Sequence, residues 1–226
     1  LNLLGMNVTV PYKSEVIPFL EELDPLAEKI GAVNTLVRGK KGYKGYNTDM
    51  PGLYRAMCED GVGIVGENVL ILGAGGVARA VAMLAAQKGA ARITLLNRTP
   101  ERAGKLAEEV NSALGRDIAG AAALEAYASL PEDSYLAIQT TNVGMYPLTR
   151  ETLIEDKMFY KKIHTGYDLI FNPAKTRFMS LVEENGGRAF NGLKMLLHQG
   201  IIAYELWTGR QVDGELSGKA YKEMKK

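Results

Sequence analysis

The chain has 226 residues, of which 46% are apolar and 23% are charged, as is typical of a folded globular protein. These proportions exclude a disordered tail, a collagen-like fibre and a disulfide-rich scaffold, and no apolar run reaches the roughly 20 residues of a membrane span. The formal net charge of +1 is too small for binding nucleic acid or a membrane by bulk charge, so any bound phosphate must be held by a few placed residues.

The start of the chain and its cysteine content give two further expectations. The chain begins at Leu1 without an initiator methionine or a signal-peptide pattern, so we expect an N-terminal segment to precede it in the complete protein. Cys58 is the only cysteine. We therefore expect no internal disulfide and a location in the reducing cytoplasm.

Residues 1–49 contain the first predicted elements. A short β-branched strand is predicted at residues 6–10, where Pro11 ends it. Apolar residues over 14–23 recur with the period of an amphipathic helix. Two further strands, at 34–38 and 43–47, flank a Gly-Lys-Lys-Gly segment and predict a hairpin.

Residues 50–190 alternate between predicted strands and helices. An alanine-rich helix ends near Gly89, and a second helix begins at Thr99-Pro100 and runs to Val110, because an N-cap followed by proline is a typical helix start. The predicted strands are residues 68–72, 92–96, 135–141 and 166–171. This alternation predicts an α/β fold with a parallel sheet covered by helices on both faces. Residues 191–226 are predicted to be helical, with Asn191 as a cap and Gly209 beyond the end of the first helix.

A glycine-rich segment, Gly73-Ala74-Gly75-Gly76-Val77-Ala78, joins the strand at 68–72 to the helix after it. Glycine permits a tight turn and lets the backbone approach a pyrophosphate, which the free N–H groups of the helix start then bind. Ala78 stands at the third glycine position, where the pattern allows alanine. A turn without a ligand also favours glycine, but the flanking strand and helix favour a dinucleotide site in a Rossmann-type domain.

The end of the next strand predicts which dinucleotide binds. An NAD site usually has Asp or Glu about 20 residues after the loop, where it binds the ribose 2′-hydroxyl. Here the strand ends in Asn97-Arg98-Thr99, with Arg102 one turn further on. Guanidinium groups bind a 2′-phosphate, whereas a carboxylate repels it. These arginines could also be solvated surface charges, but cations are unfavourable at a helix start, so we favour NADP(H).

Two candidate reactive residues stand in polar motifs early in the chain. Asn-Val-Thr-Val-Pro-Tyr-Lys at 7–13 places Lys13 just past a strand, and Gly-Tyr-Asn-Thr-Asp at 45–49 ends the hairpin with Asp49. Taken alone, such a lysine is commonly a solvent-exposed charge, and Asn-Thr-Asp is a common turn or helix cap. The residue pattern itself does not separate catalysis from these structural roles.

Together, these motifs resemble one enzyme family. They occur in order with Gly-Ala-Val-Asn-Thr at 31–35, the glycine loop, Asn97-Arg98-Thr99, and Asn191-Gly-Leu followed by Gln199. In this combination the chain resembles the shikimate dehydrogenases over essentially its whole length. The resemblance implies reversible NADPH-dependent reduction of 3-dehydroshikimate to shikimate, a step of chorismate and aromatic amino-acid biosynthesis. It implies a cytoplasmic monomer or homodimer that binds a small molecule, without nucleic acid, membrane or metal.

The resemblance also assigns roles to residues. Lys13 and Asp49 match the catalytic pair, with Lys13 as acid and base and Asp49 binding a substrate hydroxyl and orienting the lysine. The matched substrate contacts are Thr9, Asn34, Asp49 and Gln199, and Phe171 stands where the family usually has a substrate-binding tyrosine. The matched cofactor contacts are Gly73, Ala74, Gly75, Gly76, Val77, Asn97, Arg98, Thr99, Arg102, Thr141, Leu169, Gly192 and Met195.

The implied organisation has two domains. Residues 1–49 and 191–226 would form a discontinuous α/β substrate domain, and residues 50–190 would form the NADP-binding domain. The active site would be the cleft between them.

Two departures from the family pattern affect the substrate. The family's N-terminal Ser-x-Ser segment, which helps to hold the substrate carboxylate, is absent from this sequence. Phe171 lacks a hydroxyl, which removes a hydrogen bond of about 0.5–1.5 kcal/mol.

Two alternatives stay open at this point. The first is a quinate/shikimate dehydrogenase that uses NAD, against which Asn97-Arg98-Thr99 argues because it contains no acidic residue. The second is a truncated NADP-binding relative that binds the nucleotide without turnover.

Overall fold

The computed structural model describes residues 3–9, 11–132 and 134–225, and it divides into two compact units. We call the unit formed by Leu1–Ala56 and Lys194–Lys226 the discontinuous unit, and the unit formed by Met57–Leu193 the central unit. The assignment of the discontinuous unit to the substrate and of the central unit to the cofactor stays a prediction.

The discontinuous unit is built on a small mixed sheet. Its strands are β1 (Gly5–Asn7), β2 (Glu22–Leu23), β3 (Thr35–Arg38) and β4 (Tyr43–Tyr46), in the spatial order β1-β3-β4-β2. Strands β3 and β4 form the predicted antiparallel hairpin, whereas β2 runs parallel to β4. Helix α1 (Pro25–Ile30) follows β2, and α2 (Asp49–Glu59) begins just after β4.

The amphipathic helix predicted over residues 14–23 is wrong. Ile17–Phe19 forms only a short 3-10 helix, and Glu22–Leu23 is strand β2. Pro18 lies in the middle of the predicted helix, where proline removes a backbone hydrogen bond and clashes with the preceding turn. Five apolar residues have the helical spacing. Val16, Ile17, Leu20 and Leu23 pack on a buried cluster around Leu36, whereas Phe19 is 84% exposed.

The central unit contains a parallel six-stranded sheet. Its strands are β5 (Asn68–Leu72), β6 (Arg92–Asn97), β7 (Ala119–Ala123), β8 (Tyr135–Gln139), β9 (Ile163–Asp168) and β10 (Arg188–Phe190), in the order β10-β9-β8-β5-β6-β7. The connecting segments contain α3 (Gly76–Gln87), α4 (Pro100–Leu114), α5 (Lys157–Tyr160), α6 (Arg177–Glu184) and a 3-10 helix at Leu124–Ser129. The chain thus starts in the middle of the sheet and builds outward on each side of β5, which confirms the predicted α/β, Rossmann-type architecture.

Several strand boundaries differ from the sequence prediction. The strand predicted at 6–10 is β1, which ends at Asn7, and Val10 lies outside the described residues. The strands predicted at 135–141 and 166–171 end earlier, at Gln139 and Asp168, because the chain turns out of the sheet after each polar residue.

The last two helices belong mainly to the discontinuous unit. They are α7 (Leu193–Thr208) and α8 (Gly214–Met224). The Asn191 Oδ1 accepts from the Leu193 N–H at 3.1 Å, so Asn191 is the predicted cap. Gly209 follows α7 with φ +68°, a conformation that favours glycine. In the described part of the chain, no helix combines the length and the apolar character that crossing a bilayer requires.

Candidate active site

Lys13 and Asp49 lie together in the discontinuous unit. The Lys13 Nζ donates to the Asp49 Oδ2 at 2.7 Å, and the two side chains are 19% and 12% exposed. The backbone of Lys13 is fixed because its carbonyl accepts from the Val33 N–H at 2.7 Å. The pair is therefore shielded from bulk water but still reachable by a small molecule.

The start of α2 holds Asp49 in place. The Asn47 Oδ1 accepts from the N–H groups of Asp49 and Met50, at 3.1 and 3.3 Å, and its Nδ2 donates to the Ala32 carbonyl at 3.0 Å. Asn47 thus binds the free backbone donors at the helix start. Asp49 is the first residue of the helix, where an acidic side chain stabilises the helix through its dipole.

Asn34 holds the second oxygen of the same carboxylate. Its Nδ2 donates to the Asp49 Oδ1 at 2.9 Å and to the Thr48 Oγ1 at 3.0 Å. Its Oδ1 accepts from the Thr48 N–H at 2.8 Å and from the Thr35 hydroxyl at 3.1 Å. Both ends of this buried amide are therefore engaged within the protein, and Asn34 acts as a support of Asp49.

The other predicted substrate residues are more scattered. Thr9 is exposed, and its carbonyl accepts from the Tyr12 N–H at 2.9 Å. Gln199 lies on α7, where its Nε2 donates to the Leu196 carbonyl at 3.0 Å. Helix α7 approaches α2 closely, since a Cβ on Gly52 would lie 2.8 Å from the Gln199 nitrogen. Phe171 belongs to the central unit and is 45% exposed.

The glycine loop of the central unit is shaped for a ligand that contacts backbone. Gly73 has φ +117°, and a Cβ there would lie 2.6 Å from the Thr140 hydroxyl, so only glycine fits. A Cβ on Gly75 or Gly76 would meet nothing within 4 Å. The start of α3 is therefore open, and its free N–H groups fit a pyrophosphate.

The segment after β6 carries the predicted ribose-phosphate residues. The Asn97 Nδ2 donates to the Thr99 carbonyl at 2.8 Å, which turns the chain into α4. Arg98, Thr99 and Arg102 are exposed. Arg98 and Asn97 line a small concavity together with Gly73 and Thr141. The structure thus brings these four predicted cofactor residues to one place.

Two further predicted cofactor residues, Leu169 and Gly192, form a second group beside the end of β9. The N–H of Gly192 donates to the Ile170 carbonyl at 2.9 Å, and a Cβ on Gly192 would lie 2.1 Å from the Leu169 oxygen. Leu169 in turn donates its N–H to the Gln139 carbonyl at 3.0 Å. Met195 differs from this group because it belongs to the discontinuous unit.

Several polar residues of the site have no role in the sequence analysis. Asn47 and Thr48 support Asp49, while Gln139, Asp168 and Thr176 are buried beside the loops after β8 and β9. Burial raises the pKa of Asp168 to about 6, against the opposing effect of hydrogen bonds from Thr176 and Ile170. A polar residue that closes an apolar strand is the sequence signal that could have identified Gln139 and Asp168.

The described residues contain no group of three or more His, Cys, Asp or Glu side chains that could hold a metal ion.

Comparison with known proteins identifies the family. The family described as "Shikimate dehydrogenase substrate binding domain" matches residues 1–36, "Shikimate / quinate 5-dehydrogenase" matches 58–134, and "Shikimate 5'-dehydrogenase C-terminal domain" matches 192–215. A curated relative from Moorella thermoacetica, named "Shikimate dehydrogenase (NADP(+))", is 41% identical over 220 residues, which cover 97% of this chain and 74% of that protein.

Solved structures agree with the sequence comparison. A shikimate 5-dehydrogenase from Listeria monocytogenes, in complex with shikimate and NAD, has a TM-score of 0.86 at 34% identity, covering 97% of this chain and 78% of that one. A quinate dehydrogenase from Corynebacterium glutamicum, in complex with NAD, has a TM-score of 0.88 at 29% identity, covering 98% and 78%. With this agreement in sequence, fold and motif order, the chain belongs to the shikimate dehydrogenase family.

Proposed function

We propose that this chain catalyses the reversible, NADPH-dependent reduction of 3-dehydroshikimate to shikimate. The observation that carries the proposal is the Lys13–Asp49 pair, held at 2.7 Å within a network of buried amides and hydroxyls. The similarity to proteins named shikimate dehydrogenase (NADP(+)) supports the substrate and the cofactor.

Lys13 supplies the proton in this proposal. When the ketone carbon accepts a hydride, negative charge develops on its oxygen, and an ammonium beside it stabilises this charge and donates the proton. The products are the alcohol and a neutral Lys13, which regains a proton from solvent. In the reverse direction, a neutral Lys13 accepts the hydroxyl proton. NADPH, when bound, supplies the hydride.

Asp49 orients both Lys13 and the substrate. One of its oxygens accepts from Lys13 and the other from Asn34. Each carboxylate oxygen can accept more than one hydrogen bond, so Asp49 retains acceptor capacity for a substrate hydroxyl. Thr9 and Gln199 offer hydroxyl and amide groups that can donate to or accept from a polyhydroxylated ring.

The cofactor is assigned to the central unit. The N–H groups at the start of α3 would bind the pyrophosphate, and Arg98, Thr99 and Arg102 would bind the ribose 2′-phosphate. No carboxylate lies between Asn97 and Pro100 to repel that phosphate. Substrate binding is assigned mainly to the discontinuous unit, and hydride transfer requires that the two bound molecules be adjacent.

The activity is tested by following absorbance of NADPH with the purified chain, shikimate and NADP+. We expect turnover, with a loss of at least about 100-fold in kcat for Lys13→Ala. Lys29→Ala, an exposed lysine of α1 in the same unit, is the matched control and should keep full activity. Full activity of Lys13→Ala would contradict the assigned proton donor. NADP+ binding without turnover in the unaltered chain would contradict the activity and favour a non-catalytic NADP-binding relative.

A second candidate is oxidation of quinate with NAD. It is favoured by the similarity to the Corynebacterium glutamicum quinate dehydrogenase, solved in complex with NAD. The two candidates are separated by kcat/KM for shikimate and quinate, each measured with NADP+ and with NAD+. Our proposal requires the combination of shikimate and NADP+ to be the most efficient.

A further inference from the structure

Gln139 and Asp168 lie directly opposite each other at the carboxyl ends of β8 and β9. They are paired in the strand register, and their exposures are only 2% and 0%. Burying such polar groups is unfavourable unless their hydrogen bonds are satisfied. The partners of both side chains lie in the loops that leave the sheet at this point.

Gln139 folds the first loop onto itself. Its Oε1 accepts from the Thr141 N–H at 2.5 Å, and its Nε2 donates to the carbonyls of Thr141 and Val143, at 3.2 and 3.1 Å. Its own carbonyl accepts from the Leu169 N–H at 3.0 Å. Gln139 therefore fixes residues 141–143 and joins them to the start of the second loop.

Asp168 closes the second loop, residues 169–176, from both ends. Its Oδ1 accepts from the Ile170 N–H at 3.0 Å, and its Oδ2 accepts from the Thr176 hydroxyl at 2.7 Å. Thr176 also caps α6, because its Oγ1 accepts from the Met179 N–H at 3.2 Å. The strand end, the loop and the next helix are thus connected through one carboxylate.

The strand order indicates which half of a dinucleotide these loops meet. The pyrophosphate loop follows β5, and the arginines that would bind the adenosine 2′-phosphate follow β6, on one side of β5. A dinucleotide lies across the carboxyl ends of such a sheet where the strand order reverses. Thr141 and Val143, which follow β8, still line the concavity with Arg98. The other half of the dinucleotide must then extend further, towards the loop after β9.

On the basis of the proposed cofactor site, we propose that Asp168 and Thr176 are positioning residues, which hold the loop at 169–176 in the shape that binds the nicotinamide half of NADP(H). Gln139 instead holds the loop at 141–143, which borders the concavity beside Arg98. Leu169 lies in the second loop and would touch the cofactor, whereas Asp168 and Thr176 act through that loop.

The test compares NADP+ with adenosine 2′,5′-bisphosphate, which keeps the 2′-phosphate and lacks the nicotinamide half. Dissociation constants are measured by calorimetry on the full chain. We expect Thr176→Val to weaken NADP+ binding about three- to tenfold, the equivalent of one lost hydrogen bond, and to leave the bisphosphate unaffected. Gln139→Ala should weaken the binding of both ligands, because residues 141 and 143 line the concavity with Arg98. Thr176→Ser keeps the hydroxyl and should restore NADP+ binding.

The matched control is Thr165→Val, a buried threonine of β9 whose hydroxyl bonds to His164 and to neither loop. It should change neither dissociation constant. An unchanged ratio of the two constants in Thr176→Val, or the same change in Thr165→Val, would overturn the inference alone. Failure of the unaltered chain to bind either ligand would overturn the cofactor site and the inference together.

Discussion

The Lys13 ammonium lies 2.7 Å from one oxygen of Asp49, and the other oxygen accepts from the Asn34 amide at 2.9 Å. Because its two oxygens face different partners, the carboxylate cannot rotate without losing both hydrogen bonds. The lysine is held beside a fixed anion and can donate towards a third group. This arrangement allows the roles of the two residues to be separated by substitution.

Replacing Asp49 with asparagine tests the orienting role. The asparagine side chain keeps the size of the aspartate but lacks the charge that holds Lys13, so we expect kcat to fall about 100- to 1,000-fold. NADP+ binding should not change, because its proposed site lies in the central unit. Glu28→Gln, an exposed acid of α1, is the control and should be fully active. Unchanged kcat in Asp49→Asn would show that the carboxylate charge has no part in the reaction.

Replacing Arg98 with alanine tests the cofactor preference. A charge-assisted hydrogen bond contributes about 1.5–3 kcal/mol, so loss of the 2′-phosphate contact should weaken NADP+ binding about 10- to 100-fold. NAD+ has no 2′-phosphate, and its dissociation constant should stay the same. Arg116→Ala, an exposed arginine just past the end of α4, should affect neither cofactor. Equal losses for NADP+ and NAD+ in Arg98→Ala would contradict the assigned phosphate contact.

The parts of the fold that sequence predicts well are those set by local patterns. Strand β5, the glycine loop and the start of α4 at Pro100 each follow from neighbouring residues, and each is confirmed, although the Thr99 side chain makes no capping hydrogen bond. The prediction of a helix over 14–23 is wrong because it rests on the spacing of the apolar residues, whereas Pro18 interrupts the helix. Strand β7, with the sequence Ala-Gly-Ala-Ala-Ala, has no strand pattern and forms because it pairs with β6.

The residues of the candidate site also divide into those that local motifs indicate and those whose role depends on the fold. A contiguous motif predicts the phosphate loop, and the family resemblance predicts Lys13 and Asp49. The support of Asp49 by Asn34, in contrast, depends on how β3 meets the start of α2. The pairing of Gln139 with Asp168 depends on the register of two strands that are far apart in the chain. Without the strand register, the sequence shows only that a glutamine and an aspartate stand at the ends of two strands. Nothing in it indicates that they are neighbours in the fold.

Two glycine substitutions test the packing around the loops. Gly192→Ala would place a methyl group 2.1 Å from the Leu169 oxygen, so the backbone must move. We expect a lower melting temperature and weaker NADP+ binding. Gly104 lies inside α4, where a Cβ would meet nothing within 4 Å. Gly104→Ala should therefore stabilise the protein by roughly 0.5–1 kcal/mol, as measured by urea unfolding. A Gly192→Ala variant that matched Gly104→Ala in stability and NADP+ affinity would contradict the close contact with Leu169.

The buried carboxyl of Asp168 makes a prediction about pH. Burial raises its pKa from the ordinary 3.8 to about 6, and the hydrogen bonds from Thr176 and Ile170 only partly oppose this rise. Between pH 4 and 6 the native state holds a proton at this carboxyl that the unfolded chain has released. Raising the pH through this window therefore lowers the free energy of unfolding. A shift of about two pKa units corresponds to roughly 3 kcal/mol over the whole window.

Asp168→Asn isolates this contribution, because asparagine does not titrate and can still accept from Ile170. The free energy of unfolding is measured by urea denaturation of both proteins from pH 4 to pH 7.5. The contributions of the other ionisable groups cancel in the difference between the two proteins. Burial raises the pKa of Tyr160 to about 12, and the Asp168 charge acts in the same direction. Tyr160 therefore stays neutral over this whole pH range. We expect the stability of Asp168→Asn relative to the unaltered protein to rise between pH 4 and 6 and to level off above pH 7. A constant difference would mean that the pKa of Asp168 is the same in the native and unfolded states, and would contradict a burial effect that outweighs the hydrogen bonds from Thr176 and Ile170.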